Sequence, residues 1–225
     1  VAILSGVLGT LFYTSALGKI NYIQYSVVVL LQQLQPLFVI FFAFLVLKEK
    51  VTKYYLVWAL FALAGAYLLS FPNMRIDIVN DSQTIQASLL AIAAAFCWGS
   101  STAFSKYALQ RFSPYLATGI RFAFTIPIAF IFVLIMGASD TLQTISTPQF
   151  INLLAIALSS GMVAMIIYYR GLKYTPARVS AIAELFWPLS AVVIGYVFLH
   201  ERLTLTQILG ALLLLLAMNR ISKKL

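Results

Sequence analysis

Eight apolar stretches, each about the length of a bilayer-spanning helix, leave this chain little freedom of fold class. They run Val1–Leu17, Tyr25–Leu47, Tyr54–Pro72, Ala87–Ala108, Tyr115–Met136, Phe150–Tyr169, Val179–Leu199 and Leu203–Asn219. Each helical residue rises about 1.5 Å, so crossing the hydrocarbon layer takes about 20 of them. Within lipid no water satisfies the backbone amides, and a helix bonds them internally. The expected fold is an all-α integral membrane protein, a polytopic helical bundle of about eight transmembrane helices. Composition agrees, with 62% hydrophobic and 9% charged residues, where a soluble domain carries about 25% charged. The longest polar stretches, residues 73–86 and 137–149, read as loops and leave no room for a soluble domain.

Eight spans make successive loops alternate between two sides. One side receives Lys48, Lys50, Lys53, Lys106, Arg111, Arg170, Lys173, Arg178, Arg220, Lys223 and Lys224. The other receives Lys19, Arg75 and Arg202, and Arg121 falls inside a span. Basic residues accumulate on the cytoplasmic side of membrane proteins. The first side is therefore expected to be cytoplasmic, with the C-terminus on it and the protein in the plasma membrane, the inner membrane if bacterial. The net charge of +9 is spread among loops without a contiguous basic block, which points to orientation in the membrane and to no nucleic-acid partner. One cysteine, Cys97, and one histidine, His200, supply no metal cluster, and neither a metal nor a cofactor is expected. The chain starts at Val1 inside an apolar run, which reads as a truncated or processed start.

Two segments share an unusual spacing. "LQPLFVIFFAFLVLKEK" from Leu34 and "FWPLSAVVIGYVFLHER" from Phe186 each hold a proline early in a span and a glutamate in the turn that follows it. Aligned on Pro36 and Pro188, they also match at Glu49/Glu201, Lys50/Arg202 and Thr52/Thr204. Upstream, "YTSAL" from Tyr13 matches "YYRGL" from Tyr168 when three residues are skipped. The two glutamate turns fall on opposite sides, the pattern of an inverted-topology repeat, and such repeats build many secondary transporters around a site near the midplane.

These residues carry a family resemblance. The proline, the twelve-residue interval, the Glu-basic pair and the apolar final helix resemble the EamA-type domain of the drug/metabolite transporter (DMT) superfamily. "AFCWGSSTAFSKYAL" from Ala95, with its Trp-Gly pair, is similar to the opening helix of such a domain. The resemblance implies two five-helix domains, of which residues 1–72 form the last three helices of the first and 87–225 the whole second, with 73–86 as an extracytoplasmic loop. Two helices before Val1 would then be absent.

Polar residues inside spans are the candidates for contact with a substrate, because each costs free energy to insert. Arg121 lies about 10 Å along its helix from Pro114, and Glu184 about 8 Å from Val179, at 1.5 Å per residue. Both depths are measured from the cytoplasmic side, so the two can meet if their helices are neighbours. A permanent ion pair holding the bundle, a pair opened by substrate or proton, and an Arg121 that receives a substrate carboxylate are all open readings, and Arg121 favours substrates carrying a carboxylate or phosphate. Gln32, Gln33 and Gln35 precede Pro36, and at least one amide is expected to face a central cavity. Trp98, near mid-span, and Trp187, beside Pro188, are candidates for stacking against a substrate, with core packing as the alternative. Pro36 and Pro188 free a helix carbonyl and suit paired bends about a central path, against simple curvature. For Glu49 and Glu201 the expectation is structural: complementing the dipole of the following helix, solvated beside Lys50 and Arg202. The repeat of small residues at Ala87, Ala91, Ala95, Gly99 and Ala103 permits close helix approach.

The function expected from these features is a secondary transporter moving small metabolites such as amino acids or organic solutes by alternating access. Its partners are a small-molecule substrate and membrane lipid, coupled to a proton or solute gradient with Glu184 as the carboxylate in the spans. No G-x-x-x-x-G-K-[ST] loop is present, so that route to nucleotide hydrolysis is excluded. The alternatives are a non-transporting membrane scaffold or assembly subunit, and an intramembrane enzyme. The last lacks a nucleophile–base constellation or paired acids at depth, so no catalytic residue is assigned.

Overall fold

The computed structural model describes residues 1–19, 25–70, 82–137, 144–198 and 204–223. These residues form ten helices and no strands. They are α1 (Ala2–Leu17), α2 (Tyr25–Gln32), α3 (Gln35–Leu47), α4 (Lys53–Ser70), α5 (Ser82–Leu109), α6 (Pro114–Ile135), α7 (Thr147–Tyr174), α8 (Ala177–Glu184), α9 (Phe186–Phe198) and α10 (Leu205–Ser222). By length and composition α5, α6, α7 and α10 can each cross a membrane. α1 and α4 are shorter apolar helices. The expected spans Tyr25–Leu47 and Val179–Leu199 are each divided, at Gln33–Leu34 and at Leu185.

Local chemistry explains several ends. Ser113 caps α6 by accepting from the Leu116 N–H at 3.2 Å, and Pro114 follows with φ already set for a helix. Capping boxes start α7 (Ser146 with Gln149) and α10 (Thr204 with Gln207), each satisfying two donors that a helix start leaves over. α5 begins at Ser82, so Ser82–Gln86 is helix where the hydropathy pattern suggests loop. Hydropathy marks where a helix enters lipid, not where its backbone hydrogen bonding stops.

The most extensive helix packing joins α4 to α10. A methyl group on Gly65 would lie 2.8 Å from the Gly210 carbonyl oxygen, and one on Gly210 would lie 2.8 Å from that of Gly65. The two backbones therefore touch, and Ala59, Ala62, Ala66, Leu214 and Ala217 close the interface around them. This is the small-residue contact that serves membrane helices, where lipid supplies no hydrophobic drive to associate. α5 packs against α1, α2, α3, α7 and α8. Its stripe Ala87, Ala91, Ala95, Gly99 and Ala103 is buried throughout. At Gly99 a Cβ would stand 2.8 Å from the Gln35 carbonyl oxygen, so this glycine sets how closely the start of α3 approaches α5.

One end of the bundle is rich in basic side chains held by helix ends. Lys106 donates to the carbonyls of Leu172 and Lys173, both at 2.8 Å, and Lys173 donates to that of Phe112 at 3.2 Å. Arg178 pairs with Glu49 at 3.1 Å. This ion pair corrects the reading of Glu49 as a solvated residue serving the next helix in sequence. Its carboxylate accepts from the backbone N–H groups of Ala177 and Arg178, at 2.7 and 3.3 Å, and so caps α8 in the other half of the chain. Its side chain is only 11% exposed. Glu201, the matching acid, lies outside the described residues.

Candidate functional site

Pro36 and Pro188 stand just beyond the two helix breaks. A proline has no N–H, so Pro36 leaves the Gln32 carbonyl, and Pro188 that of Glu184, without the usual i+4 donor. Three-residue hydrogen bonds tighten the chain there: Leu34 N–H to the Leu31 carbonyl and Leu37 N–H to Leu34, then Leu185 N–H to Ile182. Gln32 and Glu184 are thus equivalent positions in the proline alignment, and each ends the first segment of a divided helix.

The side chains at these breaks join the two halves. The Gln35 amide donates to Glu184 Oε2 at 2.6 Å, and the Tyr168 hydroxyl donates to Glu184 Oε1 at 2.6 Å. Both carboxyl oxygens are therefore engaged by hydrogen bonds. Gln32 donates to Gln35 Oε1 at 3.0 Å, which orients that amide with its nitrogen toward Glu184. Thr102 lies 3.4 Å from the Tyr168 hydroxyl. Beside this chain runs a second one, in which Arg121 donates from Nη1 to the Tyr169 hydroxyl at 3.1 Å and Tyr169 meets Ser105 at 3.0 Å.

Two cavities meet at the Gln35–Glu184 hydrogen bond. The first, of about 260 Å³, lies between the breaks and is lined by Gln32, Gln33, Pro36, Trp187 and Pro188 together with Gln35 and Glu184. The second, of about 190 Å³, has Gln35, Glu184, Trp98, Arg121 and Tyr168 on its wall, with the hydroxyls of Ser5, Ser101, Thr102 and Ser105. A third, of about 600 Å³, shares Ser105 and Arg121 with the second. Its wall is mainly apolar, with Val1, Ala2, Ile3 and Leu4 at the start of the sequence facing Phe112, Ile120 and Phe124. Gln35 and Glu184 are thus common to the first and second cavities, and Ser105 and Arg121 to the second and third.

Gln32, Gln33, Gln35, Trp98, Arg121, Glu184, Trp187, Pro36 and Pro188 all line one of the first two cavities. The expected ion pair of Arg121 with Glu184 is absent. Both side chains line the 190 Å³ cavity, but Arg121 bonds to Tyr169 and Met165 while Glu184 bonds to Tyr168 and Gln35. Tyrosine hydroxyls satisfy each group separately, and sequence depth alone gives no view of such intermediaries. Trp98 is held by Tyr13, ring centroids 5.3 Å apart, and by an indole N–H bond to the Ser5 carbonyl at 3.3 Å. Trp187 is 48% exposed and less constrained. Sequence reasoning missed Tyr168, Tyr169 and the run Ser101, Thr102, Ser105, although adjacent tyrosines and clustered hydroxyls inside apolar spans are a usable signal.

The model of the EamA-like transporter family matches residues 1–71 and 85–222. The riboflavin transporter ImpX of Fusobacterium nucleatum is 37% identical over 99% of this chain and 75% of its own length. An uncharacterized transporter of Synechocystis is 30% identical over 96% of this chain, which spans 62% of that protein. The uncharacterized transporter YoaV of Bacillus subtilis is 26% identical over 80% of the chain, which spans 60% of that protein. A solved crystal structure superposes on the whole chain with a TM-score of 0.80 at 17% identity, covering 77% of the solved chain. That likeness concerns the fold alone.

Proposed function

The chain belongs to the EamA-like transporter family, and from that premise we propose that it is a secondary transporter carrying a small organic metabolite by alternating access. The observation that carries the reading is the Gln35–Glu184 bond, 2.6 Å long, between two cavities and between two opposed helix breaks. Substrate sites at broken helices suit transport because freed backbone groups and side chains can serve a ligand without unfolding the span. Residues 1–72 are read as the last three helices of the first repeat and 87–225 as the whole second repeat, the two rocking about this contact, with eight spans in all. The basic end is read as cytoplasmic, following the positive-inside rule, and the membrane as the plasma membrane.

Riboflavin is the first substrate to test, because the Fusobacterium relative is named for it. Amino acids and small organic acids come next. The protein is reconstituted in vesicles and saturable uptake is measured for this panel, with and without a proton gradient. Uptake of one class above that of empty vesicles, lost in Glu184→Gln, supports the reading. No uptake of any member, by a protein that stays folded and inserted, sinks it.

A further inference from the structure

We propose that the 190 Å³ cavity selects a dipolar portion of the cargo with no net charge, an acceptor oxygen going to Arg121 and a hydroxyl or ammonium donor to Glu184. Phosphorylated and other anionic forms of the same molecule are refused. The proposal rests on the transporter reading above and names the substrate chemistry of that site.

Its basis is the charge on the wall. Among the described residues lining the cavity, Arg121 is the one cation and Glu184 the one carboxylate. They form no ion pair with each other, since each is bonded to neutral partners. The rest of the wall is neutral: four hydroxyls, the Gln35 amide, Trp98, Met165 and Tyr168. With Glu184 ionised, the charges on the wall sum to zero and their distribution is strongly dipolar. A guanidinium carries five N–H donors, of which the contacts here engage those on Nη1. Arg121 therefore keeps capacity for a carbonyl or carboxylate oxygen. Glu184 keeps lone pairs for a donor.

A group with zero net charge, able to donate at one side and accept at the other, completes both without leaving surplus charge in a low-dielectric space. A phosphate gains Arg121 but sets its own charge against Glu184, and an uncompensated buried charge is costly. Two kinds of molecule present this chemistry. One is a polyol attached to a ring, as in riboflavin. The other is the zwitterionic head of an amino acid with a large side chain.

Binding in detergent is the test, because it is read without transport. Flavin fluorescence quenching gives Kd for riboflavin and for flavin mononucleotide, its phosphate ester, on wild type, Glu184→Gln and Arg121→Gln. Wild type is expected to favour riboflavin by about 100-fold. Glu184→Gln leaves the wall positive and should cut that preference to about tenfold or less, while Arg121→Gln leaves it negative and should widen it. The opposite directions matter, since a variant that is merely damaged loses both ligands together. The second arm compares tryptophan with anionic N-acetyltryptophan by thermal shift, with the same order expected if the amino acid is the cargo. Equal binding of neutral and anionic forms overturns the proposal while leaving the transporter reading intact if uptake is seen. So does a preference unmoved by both variants. Absence of binding in both arms overturns it as well, and the uptake panel then decides the transporter reading separately.

Discussion

Gln35 and Glu184 are 149 positions apart in the chain and 2.6 Å apart in space. Gln35 opens α3 just after one helix break, and Glu184 closes α8 just before the other. The two half-chains thus bond to each other where both have given up regular helix hydrogen bonding. A packed core has one arrangement, but a contact of this kind can exchange one partner for a ligand, which makes it suited to a path that opens in turn to either side.

Gln35→Ala removes the amide but keeps the helix start. A hydrogen bond to a charged group contributes about 1.5–3 kcal/mol, and its loss should lower uptake about tenfold or more. Gln35→Glu is the sharper variant. It sets a second carboxylate against Glu184 and should abolish uptake at neutral pH while retaining the side-chain volume. Uptake by reconstituted vesicles checks both, and Gln35→Glu transporting like wild type would show that the contact does not matter.

Glu49 ties the first half to α8 through two backbone N–H groups and Arg178. Losing a cap and a charged hydrogen bond together costs about 1–3 kcal/mol. Glu49→Ala should therefore melt several degrees lower in detergent. Glu49→Gln keeps an acceptor for Ala177 and should lose about half as much. The substrate Kd should stay unchanged in both, because Glu49 is absent from the walls of all three cavities.

Gly65 and Gly210 let the backbones of α4 and α10 touch. An alanine at either position must push the helices apart, and overpacking of this kind costs about 1–3 kcal/mol. Gly119→Ala is the control. Nothing lies within 4 Å of its new methyl group, and alanine favours helix, so stability should hold or rise by about 0.5–1 kcal/mol. Thermal melting of the three variants separates contact from propensity, and equal effects would refute the contact.

How far the sequence reached depends on which interactions are periodic or local. Helix positions follow from the length of apolar runs, and the small stripe on α5 follows from its four-residue spacing. The prolines mark both breaks to within three residues, because the effect of a proline is confined to its own turn. What sequence cannot weigh is partner choice across the bundle. Arg121 and Glu184 have suitable depth and opposite charge, yet Tyr169 and Tyr168 stand beside them and take those bonds. Glu49 reads as local because its neighbours in the chain are basic, but its donors come from Ala177 and Arg178. Such choices depend on which helix ends approach, and that is set by contacts such as Gly99 with the Gln35 carbonyl.

Pro36 and Pro188 allow the last expectation. Each deprives the carbonyl four residues earlier of its donor, and replacement by alanine restores that N–H. Where the backbone can relax into regular helix, the restored bond stabilises by about 0.5–1.5 kcal/mol. Pro36→Ala and Pro188→Ala should thus melt at the same temperature as wild type or higher, while uptake falls. Ordinary damage lowers both together, so the split between stability and flux is the diagnostic. The double variant should transport little worse than either single one, because a path that needs both bends fails when one is lost, and coupled sites are not additive. Single variants that transport normally would mean the prolines only curve their helices.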